Sequence, residues 1–249
     1  MSHALLLDTT LCIGCGACSA ACKEQNGLPL DIEDRTTAYT YTTVEKMAGV
    51  NVRRMCMHCL HPTCVSVCPV GAMKKTPEGP VHYDAEKCIG CRYCIQACPF
   101  DVPKYQWDKA TPVVAKCTMC GPRLAKGLPT ACASVCPTMA TKFGDRDALI
   151  AEARERIARN PERYVDHVFG VDEVGGTSVL LLSGVPFAQL GLRANLPKEE
   201  LGKYTWQVLE RVPDIVALGG ALLYGIYWIT KRREYVQQVE GEPGGKERS

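Results

Sequence analysis

The chain of 249 residues is organised around two consecutive cysteine runs, Cys56-x2-Cys59-x4-Cys64-x3-Cys68-Pro69 and Cys88-x2-Cys91-x2-Cys94-x3-Cys98-Pro99. Together they hold eight of the sixteen cysteines. Two intervening residues allow consecutive thiolates to wrap one small inorganic cluster from a tight loop. We expect Gly90 to leave backbone amides free to approach the sulfur atoms, and the proline after each fourth cysteine to end a short helical turn.

The second of these runs has the spacing of bacterial ferredoxins. In that pattern the first three cysteines hold one 4Fe-4S cluster and the fourth binds the other cluster. A disulfide framework and structural zinc are the alternatives in a cysteine-rich chain. A chain of this length can build a core without disulfides. Zinc takes four ligands from two pairs, which would leave the third and fourth cysteines of each run without a role. The runs therefore predict iron–sulfur clusters.

Two further runs lie outside this stretch: Cys12-x2-Cys15-x2-Cys18-x3-Cys22 and Cys117-x2-Cys120-x11-Cys132-x3-Cys136-Pro137. The first repeats the Cys88 run, except that Lys23 replaces the proline, which predicts a helix that continues toward Asn26-Gly27. A hairpin predicted between Val70 and Asp84 joins the second and third runs into an inner module. The first and fourth runs are left to form an outer module.

Exchange of the fourth cysteine within each module assigns all sixteen cysteines to four 4Fe-4S clusters. Cluster one takes Cys12, Cys15, Cys18 and Cys136. Cluster two takes Cys117, Cys120, Cys132 and Cys22. Cluster three takes Cys56, Cys59, Cys64 and Cys98. Cluster four takes Cys88, Cys91, Cys94 and Cys68. This set leaves no catalytic residue to assign.

Four other residues near these runs invite ligand or relay roles. Because sixteen cysteines satisfy four clusters, we predict that His58 and His61 lie at the surface or beside the ligands. Tyr93 and Trp107 could act as electron relays, but we predict that they pack against the clusters and exclude water. The net charge of +2 gives no argument for nucleic acid, and no phosphate-binding or dinucleotide-binding glycine motif is present in the sequence.

The rest of the first 211 residues predicts ordinary elements. Residues 1–11 show no signal-peptide pattern and are expected to form an edge strand. Residues 28–50 are expected to be a partly extended insertion, with alternation over Tyr39, Tyr41 and Val44. Residues 145–159 form an amphipathic helix with Leu149, Ala153 and Ile157 on one face, and residues 179–182 a buried strand.

Residues 212–230 carry no charge after Asp214 and are long enough to cross a membrane as one helix. A buried core helix is the alternative. Pro213 suits a helix start, Tyr and Trp residues lie near the end, and Lys231-Arg232-Arg233 follows, which favours a cytoplasmic C-terminus and an outer, periplasmic cluster domain. We expect such a domain to be exported bound to a partner with a twin-arginine signal. The tail beyond Glu240 has a disordered composition.

These observations predict an α+β fold of tandem bacterial-ferredoxin-like modules with inserted loops, plus one C-terminal transmembrane helix. The expected divisions follow from the runs. They are a four-cluster domain at 1–144 (inner module 51–110, outer module 1–30 with 111–144), an extension at 145–211, the transmembrane helix at 212–230 and a cytoplasmic tail at 231–249.

The four runs, the segment Val174-Gly175-Gly176-Thr177 and the single C-terminal pass together resemble the four-cluster ferredoxin-like subunits of membrane-bound respiratory oxidoreductases. Hydrogenase-2-type and formate dehydrogenase iron–sulfur subunits are the most similar members. The resemblance implies a non-catalytic subunit that relays electrons between a hydrogenase-like or formate dehydrogenase-like catalytic subunit and an integral membrane subunit that binds quinone or haem. A soluble or scaffold-type polyferredoxin is the alternative.

Overall fold

The computed structural model describes residues 2–31, 33–193 and 195–240. It divides into two units, one ending at Gly202 and one beginning at Lys203. The strands, in chain order, are β1 His3–Asp8, β2 Thr43–Met47, β3 Val50–Arg54, β4 Met73–Lys75, β5 Val81–Tyr83, β6 Lys104–Tyr105, β7 Val114–Ala115, β8 Thr141–Asp145 and β9 Val179–Leu182. The α-helices are α1 Ala17–Gln25, α2 Thr63–Ser66, α3 Tyr93–Gln96, α4 Gly121–Leu124, α5 Ala131–Ser134, α6 Arg146–Arg159, α7 Leu201–Leu209 and α8 Val212–Glu240.

The first strand lies at the centre of the first unit. β1 pairs antiparallel with β8 and parallel with β9 in a three-stranded sheet. The prediction of an edge strand was therefore wrong, because both partners lie more than a hundred residues further along the chain. The unbroken apolar segment Ala4–Leu7 fits a strand buried on both faces.

The two faces of β1 separate two packed layers. Leu5 and Leu7 belong to the core that also contains cysteines of the second and fourth runs. Ala4 and Leu6 face the other way and pack with the apolar side of α6. Alternation along the strand thus places the cysteine-containing core on one side of the sheet and a helix on the other.

α6 has the predicted bounds and apolar face. The Asp145 side chain caps its start by accepting hydrogen bonds from the backbone N–H groups of Asp147 and Ala148. Leu149, Ile150, Ala153 and Ile157 are its buried residues. β9 is fully buried, as predicted.

Three short hairpins connect the cysteine runs. β4 and β5 pair antiparallel, which confirms the hairpin predicted between the second and third runs. β2 pairs with β3, and β6 with β7. The extended structure expected within residues 28–50 begins only at Thr43. Tyr39 lies in the preceding loop, where its hydroxyl donates to the Asp108 carboxylate at 2.7 Å.

The helix at the end of each cysteine run is short where a proline follows the last cysteine. α2, α3 and α5, which are followed closely by Cys-Pro, have four residues each. α1 has nine residues and ends with Asn26 as its C-cap, as the replacement of proline by Lys23 predicted. Lys23 is buried, and its Nζ donates to the Tyr39 carbonyl at 3.1 Å.

The second unit consists of α7, apart from its first two residues, and α8. Residues 201–240 are the part of the described chain that is long and apolar enough to cross a membrane. The helix expected over 212–230 continues to Glu240. Its large apolar side chains are exposed, Leu218 by 73%, as expected of a lipid-facing surface rather than of a core helix. The predicted disordered tail lies outside the described residues.

Candidate iron–sulfur sites

One cavity is lined by all four cysteines assigned to cluster one: Cys12, Cys15, Cys18 and Cys136. α1 begins at Ala17 and carries Cys18, while Cys136 comes from the loop that leads into β8. Asn51 closes the cavity wall by donating from Nδ2 to the Cys12 carbonyl at 2.8 Å. The fold thus brings the first and fourth runs together around one space.

The cysteines assigned to cluster two meet deeper in the core. Burial raises the pKa of the Cys22 thiol to about 12, and the charges of Cys132 and Cys120 contribute. Burial also raises the pKa of Cys117 well above its usual value, with Cys22 as the next contributor. These mutual effects indicate that cysteines of the fourth run lie near Cys22, the last cysteine of the first run.

The cysteines assigned to cluster three behave in the same way. Burial raises the pKa of Cys59, and the charges of Cys56, Cys98 and Cys64 add to the shift. The same two causes, burial and then Cys56, raise the pKa of Cys64 to about 12. The charge of Cys98, from the third run, therefore acts on the first three cysteines of the second run.

Cys68, from the second run, acts on the group assigned to cluster four. Burial raises the pKa of Cys94 to about 11, followed by the charges of Cys88, Cys91 and Cys68. Although slight burial acts to raise the pKa of Cys68, backbone N–H groups hold it below its usual value. One of these is the Ala72 N–H, which donates to Cys68 Sγ at 3.2 Å.

These four groups fit anionic iron–sulfur clusters. Each group offers four soft sulfur donors. A buried cysteine is strongly disfavoured in its thiolate form unless a cation compensates the charge, and the iron–sulfur core would be that cation. Backbone N–H groups point at the sulfur atoms: Gly90 donates to Cys88 at 3.4 Å and Thr141 to Cys136 at 3.4 Å. Gly90 has φ +71°, and a side chain there would strike the Tyr105 hydroxyl. These contacts support the predicted ligand sets.

The segment Val174–Thr177 is attached directly to the second run. The Leu60 N–H donates to the Gly176 carbonyl at 2.9 Å, and Cys59 forms a β-bridge with Thr177. The backbone N–H of Ser178 then donates to the Met57 carbonyl at 3.1 Å. This part of the chain therefore holds the loop that carries Cys56 and Cys59.

The two histidines occupy different environments. His58 is fully buried, its Nδ1 accepts from the Val81 N–H at 2.9 Å, and burial holds its pKa well below the usual range. His58 therefore lies beside the assigned ligands, which is one of the two predicted positions. His61 is at the surface and pairs with Glu200 at 2.7 Å.

The prediction for Tyr93 and Trp107 was wrong, because these side chains are 58% and 71% exposed. Trp107 instead packs edge-on against Tyr105 and lies under the Arg92 guanidinium, 5.1 Å from its ring centroid. Such a stack on a short hairpin is stabilised locally and leaves the aromatic faces accessible to solvent.

Sequence reasoning missed the half-buried Lys75 and the buried Lys116 and Arg53, three cations near the cysteines. Lys75 donates to the His58 carbonyl at 3.0 Å, and Lys116 donates to the Cys117 carbonyl at 3.1 Å. Arg53 extends from β3 into the space between the first and fourth runs. The sequence does carry a signal for them, because all three residues lie inside or next to apolar segments. A charge buried in such a segment needs a partner.

Comparison with known proteins identifies the family. Residues 47–146 match the model of a 4Fe-4S dicluster domain, and residues 11–72 match a second 4Fe-4S dicluster domain. The chain is 37% identical to the hydrogenase-2 operon protein HybA of Escherichia coli O157:H7, over 77% of this chain and 73% of that protein. It belongs to the family of 4Fe-4S dicluster iron–sulfur subunits.

Other relatives agree with this membership. A protein of Nitratidesulfovibrio vulgaris is 43% identical over 96% of this chain and 70% of its own length. The iron–sulfur subunit of the nitrate-inducible formate dehydrogenase of Escherichia coli K12 is 35% identical, over 71% of this chain and 66% of the subunit. The resemblance to hydrogenase and formate dehydrogenase subunits is thereby confirmed. The two dicluster domains and sixteen cysteines support four 4Fe-4S clusters in this family member.

Proposed function

We propose that this chain relays electrons through four 4Fe-4S clusters between a catalytic subunit of the hydrogenase or formate dehydrogenase type and a membrane subunit that binds quinone or haem. The observation that supports it most is the gathering of cysteines from distant runs into four adjacent groups. When bound, the clusters supply reversible one-electron transfer. The chain's own residues bind them, separate them from water and fix their spacing.

The adjacency of the groups supports a route in series. Burial is the main cause of the raised pKa of Cys64, and the charge of Cys94, from the group of cluster four, adds to it. Burial and Cys22 raise the pKa of Cys117, and Cys56, from cluster three, adds to them. Burial is also the main cause of the raised pKa of Cys22, and the charge of Cys18, from cluster one, adds to it. The proposed order of the route is therefore four, three, two, one.

The relay is tested in the complex purified through a tag on this chain. We expect a catalytic and a membrane subunit to copurify, the catalytic subunit's substrate to reduce the clusters, and a quinone analogue to reoxidise them. Electron paramagnetic resonance follows both steps. A chain that purifies from detergent extracts with all its iron but without either subunit would favour the soluble carrier and contradict the relay.

We further propose the crossed ligand sets predicted from the runs. Cys98→Ser should alter the resonance signal of the cluster bound by Cys56, Cys59 and Cys64, because Cys98 is assigned to that cluster. Its charge, after burial and the charge of Cys56, adds to the raised pKa of Cys59. Cys94→Ser is the matched control and should alter the cluster of its own run. The crossing is wrong if both substitutions alter the same signal. The predicted domain boundaries stay a prediction.

We also propose that α8 crosses the membrane with the cluster domain outside and the C-terminus in the cytoplasm. The exposed apolar surface of the helix supports the crossing, and Lys231, Arg232 and Arg233 support its direction. Protease added to intact spheroplasts should digest the region before Val212. Protection of that region in intact spheroplasts, with digestion after lysis, would reverse the orientation.

A further inference from the structure

Arg53 is a buried cation without a carboxylate partner. Its side chain hydrogen-bonds to two hydroxyl groups: Nε donates to Thr42 Oγ1 at 2.9 Å and Nη1 donates to Thr141 Oγ1 at 3.0 Å. Within residues 2–31, 33–193 and 195–240, no aspartate or glutamate forms an ion pair with it. The neighbouring Arg54, by contrast, pairs with Glu45 at 2.9 Å.

Arg53 faces the cysteines assigned to cluster one. Its side chain lines the same cavity as Cys12, Cys15, Cys18 and Cys136. Thr141 connects it to this group a second time, because the Thr141 N–H donates to Cys136 Sγ at 3.4 Å while its hydroxyl accepts from Arg53.

The position of Arg53 requires a countercharge. Its side chain is buried, and its hydrogen bonds to Thr42 and Thr141 are made to neutral hydroxyl groups. An unpaired buried charge is costly, so the countercharge that retains Arg53 is the sulfur ligands themselves.

We propose that Arg53 raises the reduction potential of cluster one. The proposal rests on the proposed function and on its ligand sets. The cluster gains one negative charge on reduction, and a fixed cation that lines the cavity of its ligands stabilises the reduced state more than the oxidised state. Arg53 is a tuning residue, since it lines that cavity without being one of the assigned ligands.

The test is a potentiometric titration of the purified full-length holo-protein, followed by electron paramagnetic resonance. Arg53→Gln should lower the equilibrium constant for reduction of cluster one at least tenfold, which is about 59 mV for a one-electron couple. Arg53→Lys keeps the charge and should retain most of the potential. Arg54→Gln is the matched control, because Arg54 leaves the same strand toward Glu45, and its potentials should equal those of the wild type.

A second pair of variants leaves Arg53 in place. Thr42→Asp puts a carboxylate against the guanidinium and should lower the same potential, whereas the uncharged Thr42→Asn should not. Unchanged potentials in Arg53→Gln, or equal potentials in Thr42→Asp and Thr42→Asn, would overturn the proposal. Loss of iron from every variant at both positions would also overturn it, because Arg53 would then serve to retain the clusters.

The titration also separates this proposal from the relay. It measures potentials in the isolated chain, so a shift in Arg53→Gln stands even if no catalytic or membrane subunit copurifies. Conversely, the complex could relay electrons while Arg53→Gln leaves the potentials unchanged. That result would leave the proposed function intact and remove the role of Arg53.

Discussion

Leu6 offers a test of the two-layered arrangement around β1. Its side chain is fully buried and packs among Leu149, Ile150 and Ala153 of α6, on the face of the sheet away from the cysteines. Leu6→Ala removes three buried carbons and leaves a cavity, which costs about 2–5 kcal/mol of unfolding free energy. In a unit of this size each kcal/mol lowers the melting temperature by about 2–4 °C, so a loss of about 3 kcal/mol corresponds to about 6–12 °C.

The assay is anaerobic thermal unfolding of the holo-protein by far-ultraviolet circular dichroism, together with iron content and paramagnetic resonance at low temperature. Leu6→Ala should lower the melting temperature and leave the cluster signals unchanged. Leu5→Ala, on the opposite face beside Cys56 and Cys117, should lower it and also alter the signals. Leu128→Ala is the exposed control and should change little. Equal changes of the cluster signals in Leu5→Ala and Leu6→Ala would refute the separation of the layers.

Three further predictions concern the scaffold and the anchor. Gly170→Ala should destabilise the first unit by more than about 1 kcal/mol, because φ is +100° and the new methyl group would overlap the Val179 carbonyl oxygen; thermal unfolding measures this. Asp8→Asn should cost about 3 kcal/mol in the same assay, since its buried carboxylate accepts from Arg156 at 2.8 Å. Truncation before Val212 should preserve the iron content and the cluster signals but move the protein from the membrane fraction to the soluble fraction.

Matched variants control for the first two of these predictions. Gly144→Ala, where a methyl group makes ordinary contact with Leu149, should be tolerated, and equal destabilisation of both glycine variants would contradict the steric argument. Asp101→Asn breaks an exposed pair with Arg193 and should cost about 0–1 kcal/mol. A truncated chain that still sediments with membranes would show that α8 is not the anchor.

Local chemistry made a large part of this protein predictable. The hairpin between the second and third runs, the extension of α1 past Lys23, the bounds of α6 and the burial of β9 all follow from turn residues, proline and periodicity over a few neighbouring positions. Cysteine spacing predicted the cluster type for the same reason, because three ligands of each cluster come from one short loop.

The errors arose where partners are remote in sequence. β1 was assigned to an edge because its apolar segment carries no information about β8 and β9, which close over it from the other end of the unit. Tyr93 and Trp107 were expected to exclude water, yet their exposure depends on where a two-residue strand, β6, directs the chain.

By itself, the sequence determined the number of cysteine groups, the cluster chemistry and the apolar C-terminal helix, since each is encoded by residue type and spacing within a short segment. The folded chain added the cavity that gathers cysteines of the first and fourth runs and the cation that lines it. Arg53 lies in an unremarkable strand, and neither Thr141 nor Cys136 is near it in the sequence. Electrostatic effects act through space between groups that only folding brings together, so no local pattern could indicate them.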